Sequence, residues 1–393
     1  MRKSAFLEGA ALAVALALFL ALALYQIDLP GLYYDEAADA VPAMQMLQGQ
    51  PVELFRGAGL WIGDRAFPLM VMDYVGSVNS YLLVPFFALL GVGTISMRLM
   101  TVLGSALALV LTYFLARSLF GWVVAALAAL LLAVHPSFVF WSRQGIYVTS
   151  IMAPLTLGGF LCLRRWQVAG LSRYFILGLF LLGLGISAKL LFLWVVVASL
   201  VLYLALSRKP ISLPQGLVGL ATMALGAGMP LLYNLQGQGT FALLSRNLVK
   251  TEQGVNNLAL LPNLVTRAGD LGVLLDGSFF WFLGDIFRVS IYPFVFLGTA
   301  AALALLASLP RLAVCRKRIV LLLGFIVLVF LQSGVTISGL WPTHFFILLP
   351  FAAIVVGLFV WLLPQALPWP KAAWPVGLVL WAAVFLSSLG ADF

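Results

Sequence analysis

Of 393 residues, 63% are hydrophobic and 9% are charged, against about 25% charged in an ordinary soluble domain. A chain this apolar lacks the polar surface to cover itself in water, which excludes a soluble globular protein and makes lipid its solvent. The net charge of +9 does not point to nucleic acid, because the basic residues sit in short clusters between apolar runs, where the positive-inside rule expects them.

With no water in the bilayer core, backbone hydrogen bonds must close inside helices or barrels. The apolar runs are long and unbroken rather than alternating, which predicts an all-α, polytopic membrane protein with about 11 transmembrane helices. In chain order the predicted spans are Phe6–Ile27, Leu99–Leu115, Trp122–Phe140, Val148–Leu163, Tyr174–Ala188, Leu190–Leu206, Gly216–Tyr233, Ile291–Leu309, Ile319–Ile337, Phe345–Leu363 and Ala372–Leu389. The first follows Met1-Arg2-Lys3. Its apolar part of about 20 residues exceeds the usual 7–15 of a signal sequence, so it reads as an uncleaved span with a cytoplasmic N-terminus. Cys162 lies in an apolar run and Cys315 beside Arg316-Lys317-Arg318, so no disulfide is expected between them.

Ser80–Val92 is apolar but only about 13 residues long, a length more often interfacial than spanning. It contains Pro85 and is closed by Gly91 and Gly93. If it lies on the membrane, Arg117, Arg164, Arg165, Arg173, Arg208, Lys209, Arg311, Arg316, Lys317, Arg318 and Lys371 all share the cytoplasmic side with Arg2 and Lys3. If it spans, most of them face outward against the rule. The interfacial reading makes residues 1–393 one integral-membrane domain of a plasma (inner) membrane. Its two long hydrophilic segments, 28–98 and 234–290, then lie on the extracytoplasmic face.

Just past the first span, Leu32-Tyr33-Tyr34-Asp35-Glu36-Ala37-Ala38-Asp39 gathers three carboxylates. On a continuous helix Asp35 and Asp39 share one face. Two readings stand: acids favour a helix start, and a carboxylate just above the bilayer is where a general base would meet a lipid-anchored donor. Lys189 interrupts an apolar stretch too long for one span and marks the outer turn of a helical hairpin. Arg143 falls where the third span exits, and His344 opens the tenth. Ionisable groups in such places suggest function, although snorkelling of Arg143 and Lys189 to the headgroups and a capping role for His344 also account for them. His135, before Pro136, reads as a structural histidine. Arg98, Arg143, Lys189 and His344 could thus present positive charge to a phosphodiester leaving group, beside a carboxylate that takes a proton from an incoming hydroxyl.

These residues sit in an order that resembles the GT-C superfamily of integral-membrane glycosyltransferases, in the branch of protein O-mannosyltransferases and the lipid A aminoarabinose transferase. The resemblance is carried by Asp35-Glu36 after the first span, Ser80-Tyr81-Leu82 through Pro85 to Leu90-Gly91, and Met97-Arg98-Leu99. It continues through Phe120-Gly121, His135-Pro136 with Ser142-Arg143, Gly185 to Lys189, Pro230 with Tyr233-Asn234, Gly239-Thr240-Phe241, and His344 to Leu349-Pro350-Phe351. It implies a polyprenyl-phosphate sugar donor, an extracytoplasmic acceptor (lipid, glycan or protein) and an inverting single displacement. By the same resemblance Asp35 is the base and Glu36 its neighbour in the site, and juxtamembrane helices lie in the first loop. One departure concerns metal. Many relatives carry a second acidic residue shortly after the position of Arg143, whereas Gly145-Ile146-Tyr147-Val148-Thr149 has none, so no metal ligand is assigned and a divalent cation is left open. The large C-terminal soluble domain of some relatives is also expected to be absent. The alternative is a transporter or flippase of lipid-linked or amphipathic substrates. That reading expects midplane charges on broken helices in repeated halves, whereas the charges here gather at one outer face and no repeat is visible; a structural subunit would show no clustered site.

Overall fold

In the computed structural model each of the predicted apolar spans becomes a helix or a bent pair of helices. Residues 2–145, 151–207, 209–237, 239–279, 288–367 and 370–391 are described. Tyr147, the start of the span predicted from Val148, Arg208 and Asp285 lie outside them, as do the side chains of Arg2, Lys3 and Lys371.

Helix α1 (Arg2–Leu24) leads through a short connector to α2 (Tyr34–Gln48). The first long loop then forms two small antiparallel hairpins, which hydropathy had not foretold. The first joins β1 (Gly59–Ile62) to β2 (Arg65–Pro68), pairing Gly59 with Pro68 and Ile62 with Arg65. The second joins β3 (Met70–Met72) to β4 (Val75–Gly76). Helix α3 (Val78–Leu90) follows, where an interfacial segment was predicted. Its 13 residues span roughly 20 Å, well short of a hydrocarbon core of about 30 Å. Leu83 and Phe87 bury one face against Ala43, Met97 and Met100, while Leu82, Leu89 and Leu90 are exposed on the other.

The bundle continues with α4 (Thr94–Phe120), α5 (Trp122–Ala133), α6 (Pro136–Arg143), α7 (Met152–Ala169) and α8 (Ser172–Ala188). Next come α9 (Leu193–Leu206), α10 (Leu213–Gly226), α11 (Gly228–Leu235), α12 (Thr240–Asn247) and α13 (Leu260–Asp276). The chain closes with α14 (Tyr292–Leu306), α15 (Ala313–Gln332), α16 (Leu349–Ala366) and α17 (Pro370–Ala391).

Among the described residues, 4 helices are long and apolar enough to cross a membrane unaided, or up to 6 if each bent pair is one span. The two bends divide spans that the sequence reading left whole. The pair α5 and α6 turns by 61° just before Pro136, whose ring removes a helical hydrogen bond. The pair α10 and α11 turns by 76° at Gly226-Ala227-Gly228, where two glycines, weak helix formers, flank a single alanine. Helix α16, entered through a 3-10 turn from Pro342, is the central pillar: 83% of its apolar window is buried, against 22% for α1 and 17% for α17. Helices α8 and α10 meet through glycine, and a Cβ on Gly183 would sit 2.1 Å from the Met223 carbonyl oxygen. Small residues permit such close crossing where lipid supplies no hydrophobic drive.

Charge sorts to the two ends of the bundle. At one end Arg117 pairs with Glu8 at 2.7 Å, Arg318 donates to the Leu119 carbonyl, and Arg165 and Arg173 flank the Tyr174 ring. Asp35, Asp39 and Lys189 lie at the other.

Candidate active site

The three carboxylates at the start of α2 take three different places. Glu36 is fully buried and meets Arg98 of α4 side-on, with Nε to Oε1 and Nη2 to Oε2 both 2.9 Å. The Glu36 carboxylate also accepts the backbone N–H groups of Tyr33 at 2.9 Å and Gly145 at 3.1 Å. Glu36 thus closes the helix start, as the capping reading expects. Asp39, one turn beyond Asp35, is buried and accepts a hydrogen bond from Asn79 Nδ2 of α3 at 2.9 Å, while its Oδ1 has no partner. Asp35 is half-buried at the edge of this group.

Two of the expected phosphate-binding cations sit elsewhere. Arg98 has no solvent exposure, and besides Glu36 it donates to the carbonyls of Ile27 at 2.9 Å and Gly31 at 3.1 Å. Arg143, at the end of α6, donates to the carbonyls of Gln26 and Leu29. Both guanidinium groups therefore grip the backbone that runs from α1 to Asp35. They fix where Asp35 stands, and Arg98 is sealed from any ligand by its burial. Glu36 is likewise occupied, by Arg98 and by the backbone N–H groups of Tyr33 and Gly145.

Lys189 and His344 are brought together. Lys189 ends α8, and its Nζ lies 3.2 Å from His344 Nε2 and 5.6 Å from the centre of the Tyr74 ring. On the other side of the imidazole, Nδ1 lies 3.1 Å from both the N–H and the carbonyl oxygen of Trp341. A protonated Nδ1 facing that carbonyl leaves Nε2 bare to accept from the Lys189 ammonium. That tautomer cannot also accept the Trp341 N–H, so the helix cap and the Lys189 contact draw on alternative tautomers of His344.

The first loop is docked at the same turn. Leu190 N–H donates to the Tyr74 carbonyl at 2.9 Å. Gly76 lies so close to α8 that a Cβ there would be 2.0 Å from the Ser187 carbonyl oxygen. A cavity of about 140 Å³ opens beside Lys189 and His344, walled by Tyr74, Trp194, Thr336 and Ser338.

Electrostatics joins these groups. Burial raises the Asp35 carboxyl above its ordinary range, and the charge of Lys189 partly offsets this. Burial pushes Asp39 up to about 7, against the Asn79 hydrogen bond, with Asp35 raising it further and Lys189 lowering it. Lys189, at the turn between α8 and α9, is lowered to about 8 by burial, with Asp35 and Asp39 pulling the other way. Two carboxylates thus share the field of one ammonium, and burial strengthens that coupling.

A further anchor had no sequence signal. Asp73, in the turn between β3 and β4, accepts from Arg56 at 2.6 Å and from the Tyr233 hydroxyl at 2.7 Å, and its carbonyl accepts from Thr240 at 2.6 Å. It ties the first loop to α11 and α12. Only Tyr233 and Thr240 lay in motifs noted in the sequence. His135 is buried with its ring edge-on to Tyr292, 4.7 Å between centroids, which suits a structural role.

Among the described residues no three His, Cys, Asp or Glu side chains come together.

The geometry has counterparts. The family model for dolichyl-phosphate-mannose-protein mannosyltransferases matches residues 76–233. ArnT from Cupriavidus metallidurans, solved bound to undecaprenyl phosphate, superposes with a TM-score of 0.61 at 17% identity, over 94% of this chain and 62% of its own. The archaeal oligosaccharyltransferase AglB from Archaeoglobus fulgidus, solved with an inhibitory peptide and a dolichol-phosphate, gives a TM-score of 0.60 at 13% identity, over 99% of this chain and 56% of its own. The chain therefore spans less than two thirds of the proteins whose fold it shares. No curated protein sequence matches it significantly. The fold of this integral-membrane chain is thus that of ArnT and AglB, and its residues 76–233 are similar to the dolichyl-phosphate-mannose-protein mannosyltransferases.

Proposed function

We propose that the protein moves a sugar from a polyprenyl-phosphate donor to an acceptor on the extracytoplasmic face of the plasma (inner) membrane, with the N-terminus in the cytoplasm. The observation that carries this reading is the buried contact of Lys189 with His344 beside an open cavity, with Asp35 within electrostatic reach of Lys189. A carboxylate facing a buried ammonium offers a base and a phosphate partner in one field. The likeness to ArnT, solved with undecaprenyl phosphate, and to AglB, solved with a dolichol-phosphate, supports a lipid-linked donor. It favours transfer over transport.

In this reading the Asp35 carboxylate takes the proton of the acceptor hydroxyl as its oxygen attacks the anomeric carbon. The bond from that carbon to the donor phosphate oxygen breaks, and the polyprenyl phosphate leaves with the electron pair. Lys189 and His344 meet its charge. Attack opposite the leaving group inverts the anomeric centre. Arg98, Arg143 and Glu36 hold Asp35 in line without touching substrate, and no step is routed through a metal.

The test is Asp35→Asn in membranes supplied with a labelled polyprenyl-phosphate sugar. Transfer is expected to fall at least about a hundredfold, the usual weight of a general base, while protein level and donor binding persist. Full transfer by the variant would overturn the role. Mass analysis of the native lipid-linked sugar and its product then identifies both.

A further inference from the structure

The end of the bundle away from Asp35 carries a second polar recess that sugar transfer does not use. A cavity of about 410 Å³ opens there between α1, α4, α5 and α7, lined by Glu8, Phe114, Arg117, Trp122, Arg164 and Arg165 among others. On α4, Arg98 belongs to the Asp35 end and Arg117 to this one. Their separation along the helix is roughly 29 Å, close to the thickness of a hydrocarbon core. The recess therefore sits at the opposite membrane interface.

Its charge is unbalanced. Three arginines, Arg117, Arg164 and Arg165, line it against one carboxylate, Glu8, a surplus of two positive charges. Glu8 neutralises Arg117 at 2.7 Å. Arg165 packs over the Tyr174 ring at 5.6 Å, which turns its guanidinium plane without neutralising it. The Nε of Arg164 is buried with no hydrogen-bond partner. A donor buried without a partner is costly, and a ligand oxygen would satisfy it. Phe114 and Trp122 make the remaining wall apolar. Arginine forks favour phosphate oxygens, and basic recesses between membrane helices suit lipid headgroups.

We propose that this arginine-lined recess binds the phosphate headgroup of an anionic membrane lipid, whose acyl chains run along the Phe114 and Trp122 wall. The ligand is a resident of the bilayer, distinct from the donor at the far interface.

The experiment titrates the detergent-solubilised full-length protein with phosphatidylglycerol, phosphatidylcholine and soluble glycerol 3-phosphate, reading bound lipid by native mass spectrometry and Tm in parallel. Phosphatidylglycerol is expected to bind at least about tenfold more tightly than phosphatidylcholine, a preference set by the surplus charge. Replacing Arg164→Gln together with Arg165→Gln should abolish that preference. Glu8→Gln frees Arg117 and should strengthen it, which keeps the test decisive if the double variant fails to fold. Equal binding of the two lipids, a preference unchanged in a folded double variant, or no gain with Glu8→Gln would each overturn the proposal. Protection by glycerol 3-phosphate equal to that by phosphatidylglycerol would assign the site to a soluble phosphate instead. No donor sugar enters the assay, so its outcome is independent of the transferase reading.

Discussion

Arg98 and Glu36, 62 positions apart in the chain, form a side-on ion pair with both side chains wholly removed from solvent. Removing one partner of such a pair strands a buried charge, at about 3–5 kcal/mol. Arg98→Met alone should therefore lower Tm sharply in detergent. The double variant Arg98→Met with Glu36→Leu should recover much of the loss, because desolvation no longer opposes folding. If the double variant is as unstable as the sum of the singles, the pair is not the coupled unit described.

In the proposed mechanism Lys189 makes donor binding depend on pH. Held at about 8, it is protonated below that value and can meet a phosphate there, and it loses that charge as pH rises through it. Donor affinity is expected to weaken across this window. In Lys189→Arg the guanidinium stays charged, so the weakening should vanish even if overall affinity drops. Equilibrium binding of a labelled polyprenyl phosphate from pH 7 to pH 9 checks this.

Asp39 makes the opposite kind of statement about stability. Its carboxyl is raised from 3.8 to about 7. Between those values the folded protein keeps a proton that the unfolded chain has released, so this group makes stability fall as pH rises, until the fall levels off above the upper value. Asp39→Asn cannot titrate and should flatten that part of the Tm profile. A profile that keeps its slope in the variant would assign the effect to another group.

Gly76 controls how the first loop reaches Lys189. Any Cβ there would press on a backbone oxygen of α8 at 2.0 Å, and neither segment has a flexible side chain to give way. Gly76→Ala is expected to destabilise the fold by about 1–3 kcal/mol, the range of overpacking, and to lower transfer beyond what the lost stability explains. Activity compared at equal folded fraction separates the two effects.

The placement of α3 on the membrane surface is checked by accessibility. Cysteines introduced at Asp64, in the turn of the first hairpin, and at Val92, just past α3, should both react with an impermeant reagent from the same side. Labelling from opposite sides would make α3 a span.

Much of the framework was legible because apolar length is written directly in the sequence, and Ser80–Val92 could be set apart by its shortness and its glycines. The bend after Val134 was announced by Pro136 and the bend at Ala227 by its flanking glycines, yet hydropathy alone merges each pair. Asp35, Lys189 and His344 were visible as ionisable residues at span ends. The grip of Arg98 and Arg143 on the connector was not, because there, apart from the Arg98–Glu36 pair, their partners are carbonyl oxygens of residues 26–31, and a backbone acceptor leaves no mark on residue type. Asp73 escaped notice for a different reason: it lies in a hairpin turn whose contacts, Tyr233 and Thr240, are more than 150 positions away.

The same grip on main-chain oxygens has a consequence for divergence. The strap that carries Asp35 is recognised by its path, through Gln26, Ile27, Leu29 and Gly31, and not by its side chains. Its residues are free to drift wherever that path is kept, whereas the arginines that read it are not. Across a set of relatives, the grip on α4 and α6 should stay constant while the strap it holds changes its lettering.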